Sequence, residues 1–188
     1  MVMETGLLQE SDGHYELTGS LAIPSTLQDS LTARLDRLGP AREVAQLGAV
    51  LGREFSYDLI QAVSPMAEEV LRSHLRQLVA SEFLYQRGLP AEATFTFKHA
   101  LIRDASYESL LRSARQQYHR TIAEALETGR HSAAETQPEL LAHHFTEAGL
   151  TGQAAYYLRR AGEQASANFA NQEALAYFQL AVSFRESQ

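Results

Sequence analysis

Cysteine is absent from these 188 residues. That excludes disulfides and thiolate metal sites, and it fits a cytoplasmic location. Lysine is nearly absent too: Lys98 stands alone beside fifteen arginines. A phosphate-binding loop of the form G-x-x-x-x-G-K-[ST] needs a lysine followed by Ser or Thr. Here His99 follows Lys98, so the chain has no loop of that kind. No apolar run reaches the roughly 18 residues that mark a membrane-spanning helix, so no membrane partner is expected. Residues 1–8 lack the basic-then-apolar order of a signal peptide. Positive charge is in deficit, with a net charge of −7. A domain that grips a phosphate backbone usually shows a basic face, so nucleic acid is disfavoured as a partner.

The common catalytic patterns are missing as well. There is no G-x-S-x-G elbow and no H-E-x-x-H pair, which removes the serine hydrolase and zinc protease readings. Carboxylates are numerous but scattered, and none is paired in an apolar setting as acid–base chemistry requires. The tyrosines are spaced as core residues, not as a stacking platform for bases. His143-His144 is the obvious metal suspect, but adjacent helical positions point about 100° apart. His144 is expected to pack and His143 to face water. The expectation is a chain that is not an enzyme, with no catalytic residues, no metal ligands and no cofactor of its own.

The apolar fraction of 45% is that of a domain with a core, and its spacing is mostly helical. Residues 1–23 read as a tail or linker with a possible short strand over His14–Leu17. Ser25 and Gln28 form a capping box, and Leu27, Leu31, Leu35 and Leu38 follow at helical spacing until Gly39-Pro40. Val44, Leu47, Gly48 and Leu51 line a second helix that Gly52 ends. Residues 57–63 form a third helix. Pro65 suits the first turn of a fourth, striped by Val70, Leu71, Leu75, Leu78 and Val79.

The period then falls to two. Phe83-Leu84-Tyr85 and Thr94-Phe95-Thr96-Phe97 read as a hairpin broken at Gly88 and Pro90. Three helices and a hairpin are the order of a winged helix, which predicts a winged-helix-like domain over 24–98. Its candidate recognition helix, 66–80, carries Arg72, His74 and Arg76 but also Glu68 and Glu69. A DNA-binding regulator therefore stays open as a second reading.

Residues 99–188 read as helical throughout. Leu101, Ile102 and Ala105 begin one helix, and Tyr118, Ile122, Ala125 and Leu126 line the next. A polar linker covers 129–135. Thr136 and Glu139 form another capping box; Leu141, His144, Phe145 and Ala148 are the buried side of that helix, and Gly149-Leu150 suits a left-handed cap. Ala154, Tyr157, Leu158 and Ala161 are matched twenty positions on by Ala174, Tyr177, Phe178 and Ala181. This spacing resembles stacked helical hairpins of the tetratricopeptide (TPR) type. Such stacks need roughly three or more repeats, so a continuing array is expected. The fold class is thus mainly α: a winged-helix domain with a short β-hairpin, then a TPR-like repeat region. A stand-alone protein-binding adaptor is a third reading.

His99 is the candidate site residue. If the return strand continues, Phe95, Phe97 and His99 share a face, which sets an imidazole at the edge of an apolar surface. The plain reading is a core histidine satisfied by a backbone carbonyl. The run Thr96-Phe97-Lys98-His99-Ala100-Leu101-Ile102-Arg103-Asp104-Ala105-Ser106-Tyr107 adds another. It resembles the segment after the ATPase core in bacterial signalling proteins of the STAND class. Those join such an ATPase and a tetratricopeptide array to an adenylate/guanylate cyclase domain or a LuxR-type DNA-binding domain. Ile23-Pro24-Ser25-Thr26-Leu27, Arg34-Leu35-Asp36-Arg37-Leu38, Gly52-Arg53-Glu54-Phe55 and Pro138-Glu139-Leu140-Leu141-Ala142-His143-His144 fit the same pattern in order, over roughly residues 20–185.

The resemblance implies a regulatory coupling module whose partners are its own ATPase and output domains. It also implies a protein or small-molecule effector on the repeats, and ADP or ATP only within a full-length parent. In related signalling ATPases a Met-His-Asp motif ends the winged helix, and its histidine contacts the β-phosphate of ADP. His99 sits where that histidine would. Phe97-Lys98 precedes it, and Ala100 stands in place of the aspartate.

Overall fold

The computed structural model describes residues 8–11, 14–17, 25–89, 92–128 and 136–186, with side chains over 30–89, 92–128 and 136–184. The expected polar linker at 129–135 lies outside the described residues, and so do the side chains of the expected Ser25–Gln28 capping box. Strand β1 (Leu8–Ser11) pairs antiparallel with β2 (His14–Leu17), so the strand expected in the tail has a partner.

Helix α1 (Ser25–Asp36) leads through Gly39, at φ +56°, into α2 (Ala41–Leu51). Val44, Leu47 and Gly48 lie on the buried side of α2, as their spacing predicts. Gly52, at φ +135°, ends the helix; only glycine holds that angle without strain. Next comes a strand that periodicity did not reveal, β3 (Glu54–Ser56). Three residues are too few to show a period of two. Helix α3 (Tyr57–Val63) is started by Ser56, whose hydroxyl accepts from the Leu59 N–H at 3.2 Å.

Helix α4 (Glu68–Ala80) begins three residues later than Pro65 suggested. The Ser64 hydroxyl accepts from the Met66 N–H at 3.2 Å, a local turn that competes with helix. Leu71, Leu75 and Leu78 are buried, but Val70 departs from the expected stripe and is 45% exposed. Strands β4 (Leu84–Arg87) and β5 (Thr94–Phe97) complete an antiparallel sheet in the order β3–β5–β4. Phe55 opposes Phe95, and their rings stack with centroids 5.8 Å apart. Phe83, expected in the strand, precedes it and is buried.

The rest is helical: α5 (Ala100–Glu108), α6 (Arg112–Thr128), α7 (Pro138–Glu147), α8 (Thr151–Ala167) and α9 (Asn171–Glu186). The Thr136–Glu139 capping box does not form. Pro138 opens α7, which moves the cap position to Gln137, and no side chain caps it. The C-terminal cap is as expected. Gly149 sits at φ +74°, and the N–H groups of Gly149 and Leu150 donate to the Thr146 and Phe145 carbonyls, both at 2.9 Å.

The twenty-residue echo has a different meaning from the one its spacing suggested. Its two halves are α8 and α9, which pack on each other across a three-residue turn. So short a turn makes them antiparallel arms of one hairpin, not two successive hairpins. They approach closely at Gly162, where an added Cβ would lie 2.6 Å from the Phe178 ring.

One buried apolar cluster runs from Leu35 to Ala181. Helix α5 packs on α1 and α2, while α6 packs on α2, α3 and α7. The change of architecture at residues 98 and 99 is therefore not a break in the core. No helix among the described residues is long and apolar enough to cross a membrane.

Gly48 gives the sharpest packing test. A Cβ there would lie 2.8 Å from the Phe55 ring, which is 4% exposed and stacked on Phe95. Gly48→Ala is expected to destabilise the chain by about 1–3 kcal/mol in urea denaturation. Gly162→Ala should cost less, because Phe178 is only half-buried and its ring can swing.

Candidate functional site

His99 occupies the N-cap position of α5, with φ −138° and ψ 143°, and its side chain makes no capping hydrogen bond. It is exposed. Strand β5 stops at Phe97, so the alternation that buries Phe95 and Phe97 does not extend to His99. This overturns the core-histidine reading: the imidazole faces solvent. Its surroundings carry charge. The Lys98 ammonium pairs with Glu82 at 2.7 Å and lies 5.2 Å from the Tyr85 ring centroid. Lys98, and behind it Arg34 and His99, holds the Glu82 carboxyl below the usual carboxylate range. Arg34 also sits over the Phe83 ring at 5.3 Å and donates to the Ser81 carbonyl. An exposed imidazole beside two cations and one carboxylate can donate to an anion arriving from solvent.

A second constellation lies inside the fold, and its main member escaped the sequence reading. His119 on α6 and His144 on α7 are 1% and 2% exposed, with their Nδ1 atoms 2.8 Å apart. One proton between those nitrogens makes this a hydrogen bond. The other ring nitrogen of His119, Nε2, lies 3.0 Å from the Tyr107 hydroxyl on α5. The Arg115 guanidinium stacks over the Tyr107 ring at 5.1 Å. Burial, then the Glu147 carboxylate, raises the Tyr107 phenol above its ordinary pKa. His143 faces water as expected, yet its ring centroid is 5.5 Å from that of His119 and 5.3 Å from that of His144. Burial pushes His119 down to about 4, helped by the nearby charges of His143 and Arg115. It pushes His144 to about 3, with His119 and His143 adding to the effect. Among the described residues, no three His, Cys, Asp or Glu side chains are grouped so that they could hold a metal ion.

The signal for His119 was in the spacing. Residues 119, 122, 123 and 126 make a helical stripe, and all four are buried. The sequence reading instead chose Tyr118, which is half-buried. Two further polar links tie the layers. The Gln46 amide donates to the Ser109 hydroxyl at 2.8 Å, joining α2 to the end of α5. The Tyr157 hydroxyl donates to Glu127 at 2.6 Å, joining α8 to α6. On α4, Arg72 donates to the Tyr57 hydroxyl at 2.9 Å and to Glu68 at 2.6 Å, which occupies one of the cations a DNA reader would need.

No protein-family model matches the chain, and no solved structure matches it. The chain is 32% identical over 159 residues to a protein of Rhizobium meliloti (strain 1021) that carries the name "Uncharacterized protein R02095". The match takes in 84% of this chain and 16% of that relative, so the chain spans about a sixth of the relative's length.

The histidine pair sets a pH dependence. Both groups are kept neutral when folded and take up protons near pH 6.5 when unfolded. From about pH 6.5 down to about 4 the unfolded chain therefore holds more protons, and stability falls as pH falls. The slope is about 1.4 kcal/mol per pH unit for each histidine. Urea midpoints are expected to drop steeply between pH 7 and pH 5. The drop should be shallower in His144→Leu, whatever that variant's stability at pH 7.

Proposed function

We propose that the chain is a non-catalytic coupling module of a larger signalling ATPase. It joins a nucleotide-binding core to a helical-repeat sensor. The observation that carries this reading is the single buried core shared by the sheet-bearing half and the helical half. A change imposed on α7 reaches α6 through direct packing and passes on to α5 through the Tyr107–His119 contact and through α2, on which both α5 and α6 pack, and α5 starts at His99. Coupling of this kind needs one set of surfaces with two arrangements, each favoured by a different ligand state.

The order α2, β3, α3, α4, β4, β5 supports a winged-helix assignment. The antiparallel hairpin of α8 and α9, with small residues at its contact, supports a tetratricopeptide-like one. His99 would serve as the nucleotide-sensing residue. Its exposure beside Lys98 and Arg34 favours a role toward an anion over a packing role. The length of the Rhizobium relative accords with a module inside a longer chain.

A DNA-binding regulator is the alternative of a different class. Arg76 lies on the exposed side of α4 and supports it, but Glu68 and Glu69 share that helix and the whole chain is acidic. An adaptor with no nucleotide role is the third reading, with the apolar groove of Tyr156, Phe178 and Val182 as its binding surface.

The deciding test uses the longer native polypeptide. His99→Ala is expected to speed ADP release at least about fivefold, a coupling of about 1 kcal/mol, and to shift output activity. Unchanged ADP retention and output would remove His99 from the mechanism. A native polypeptide running near 20.9 kDa would remove the coupling reading itself. DNA binding that weakens steeply with salt would favour the regulator instead.

A further inference from the structure

We propose that the cleft between α4 and one end of the small sheet binds a small organic anion, a carboxylate carried on an aromatic body. The proposal does not depend on the coupling function, and His99 does not line the cleft. The cleft encloses about 460 Å³ and is lined by Tyr57, Leu75 and Phe95 together with Arg72, Arg76 and Gln86. Sites for small molecules commonly enclose about 300–1,000 Å³, with an apolar lining and a few placed polar groups.

The cleft exists because a glutamine stands where the sheet's pattern calls for an apolar side chain. Residues two apart on a strand share a face. Leu84 lies opposite Phe97, and both are buried. Gln86 is next on that face, opposite Phe95, and it is exposed. The core therefore stops short at this end of the sheet. Leu75 and Phe95, themselves buried, form the apolar part of the wall.

The charge in the cleft suits a ligand better than it suits the fold. Arg72 and Arg76 are one turn apart on α4, where like charges repel. Arg72 is held in place. Its Nε donates to the Tyr57 hydroxyl at 2.9 Å, its Nη2 donates to Glu68 at 2.6 Å, and its guanidinium lies over the Tyr57 ring at 5.1 Å. Arg76 donates from Nε to the Arg72 carbonyl at 3.4 Å, and among the described residues no carboxylate pairs with it. Its two terminal nitrogens are left to face an incoming group. Glu68 offsets one of the two charges, so one net positive charge remains. That matches a carboxylate, which carries a single charge, better than a phosphate ester at about −1.5 to −2. A guanidinium meets a carboxylate through two parallel N–H bonds, and the Gln86 amide can supply a third donor. The apolar wall then takes the ring.

The test is an NMR titration of the isotope-labelled chain with three probes. Naphthoate carries both features, naphthamide keeps the rings without the charge, and acetate keeps the charge without the rings. Naphthoate is expected to shift backbone signals around Tyr57, Arg76 and Gln86. Naphthamide and acetate should bind at least about tenfold more weakly. Arg76→Gln should weaken naphthoate binding at least about tenfold, Arg76→Lys should weaken it less, and Gln86→Trp should fill the cleft and block it. Both positions are exposed, so the variants keep the fold, and the same spectra check this. Arg120→Gln, at a surface arginine paired with Glu124, should bind as the unaltered chain does. Equal affinity for naphthoate and naphthamide would overturn the proposal, as would equal affinity in Arg76→Gln and the unaltered chain. Shifts centred on the α8–α9 groove, or no shifts, would also overturn it. Duplex DNA that moves the same signals, with binding that weakens steeply as salt rises, would overturn it in favour of a groove-reading role for α4.

Discussion

Two buried imidazoles facing one another set the terms for the packing around them. A polar nitrogen in an apolar core must find a partner or cost a few kcal/mol. His119 and His144 meet this condition through each other, and Tyr107 takes the remaining nitrogen of His119. Three helices, α5, α6 and α7, are thereby fixed relative to one another by directional bonds and not by apolar contact alone. A core of leucines tolerates small sliding movements. A chain of hydrogen bonds between 2.8 and 3.0 Å long does not.

The remaining architecture follows from where α6 lies. Its buried stripe of His119, Ile122, Ala123 and Leu126 faces a crowded junction, with α2 and α3 on one side and α7 on the other. The small sheet closes the first half from beneath, as Phe55 rests against the bare backbone of Gly48 and stacks on Phe95. The α8–α9 hairpin closes the second half. There Phe145 stacks on Tyr157 at 5.5 Å, and the Tyr157 hydroxyl reaches back to Glu127 on α6. Each half thus depends on α6 for part of its burial.

Much of this was legible in the residues. Gly39, Gly52 and Gly149 marked helix ends correctly, because a left-handed angle leaves few choices of residue. The limits of α3 and the β5 strand were readable from spacing alone. The failures have local causes. Strand β3 was too short to show a period. Ser64 diverted the chain into a turn before α4 could start. Pro138 overrode a capping box by fixing the start of its helix. His99 was assigned to a strand face, but β5 had already ended. The twenty-residue echo was real, but periodicity cannot say whether two similar helices are partners or successive copies. His119 was missed because the stripe was read from Tyr118, Ile122, Ala125 and Leu126, whereas the buried register is His119, Ile122, Ala123 and Leu126.

The shared core also bears on how such a chain can be inherited. Modular proteins are often rearranged by exchanging whole segments between genes, and exchange succeeds where few contacts cross the join. The point where sheet gives way to continuous helix, near residue 98, looks from the sequence like such a join. It is a poor one. A crossover there would pair α5 and α6 with foreign versions of α1, α2 and α3 and would leave Gln46 and Ser109 without each other. Lineages carrying this fold would be expected to exchange it as a single cassette, with breakpoints outside the span from Leu35 to Ala181.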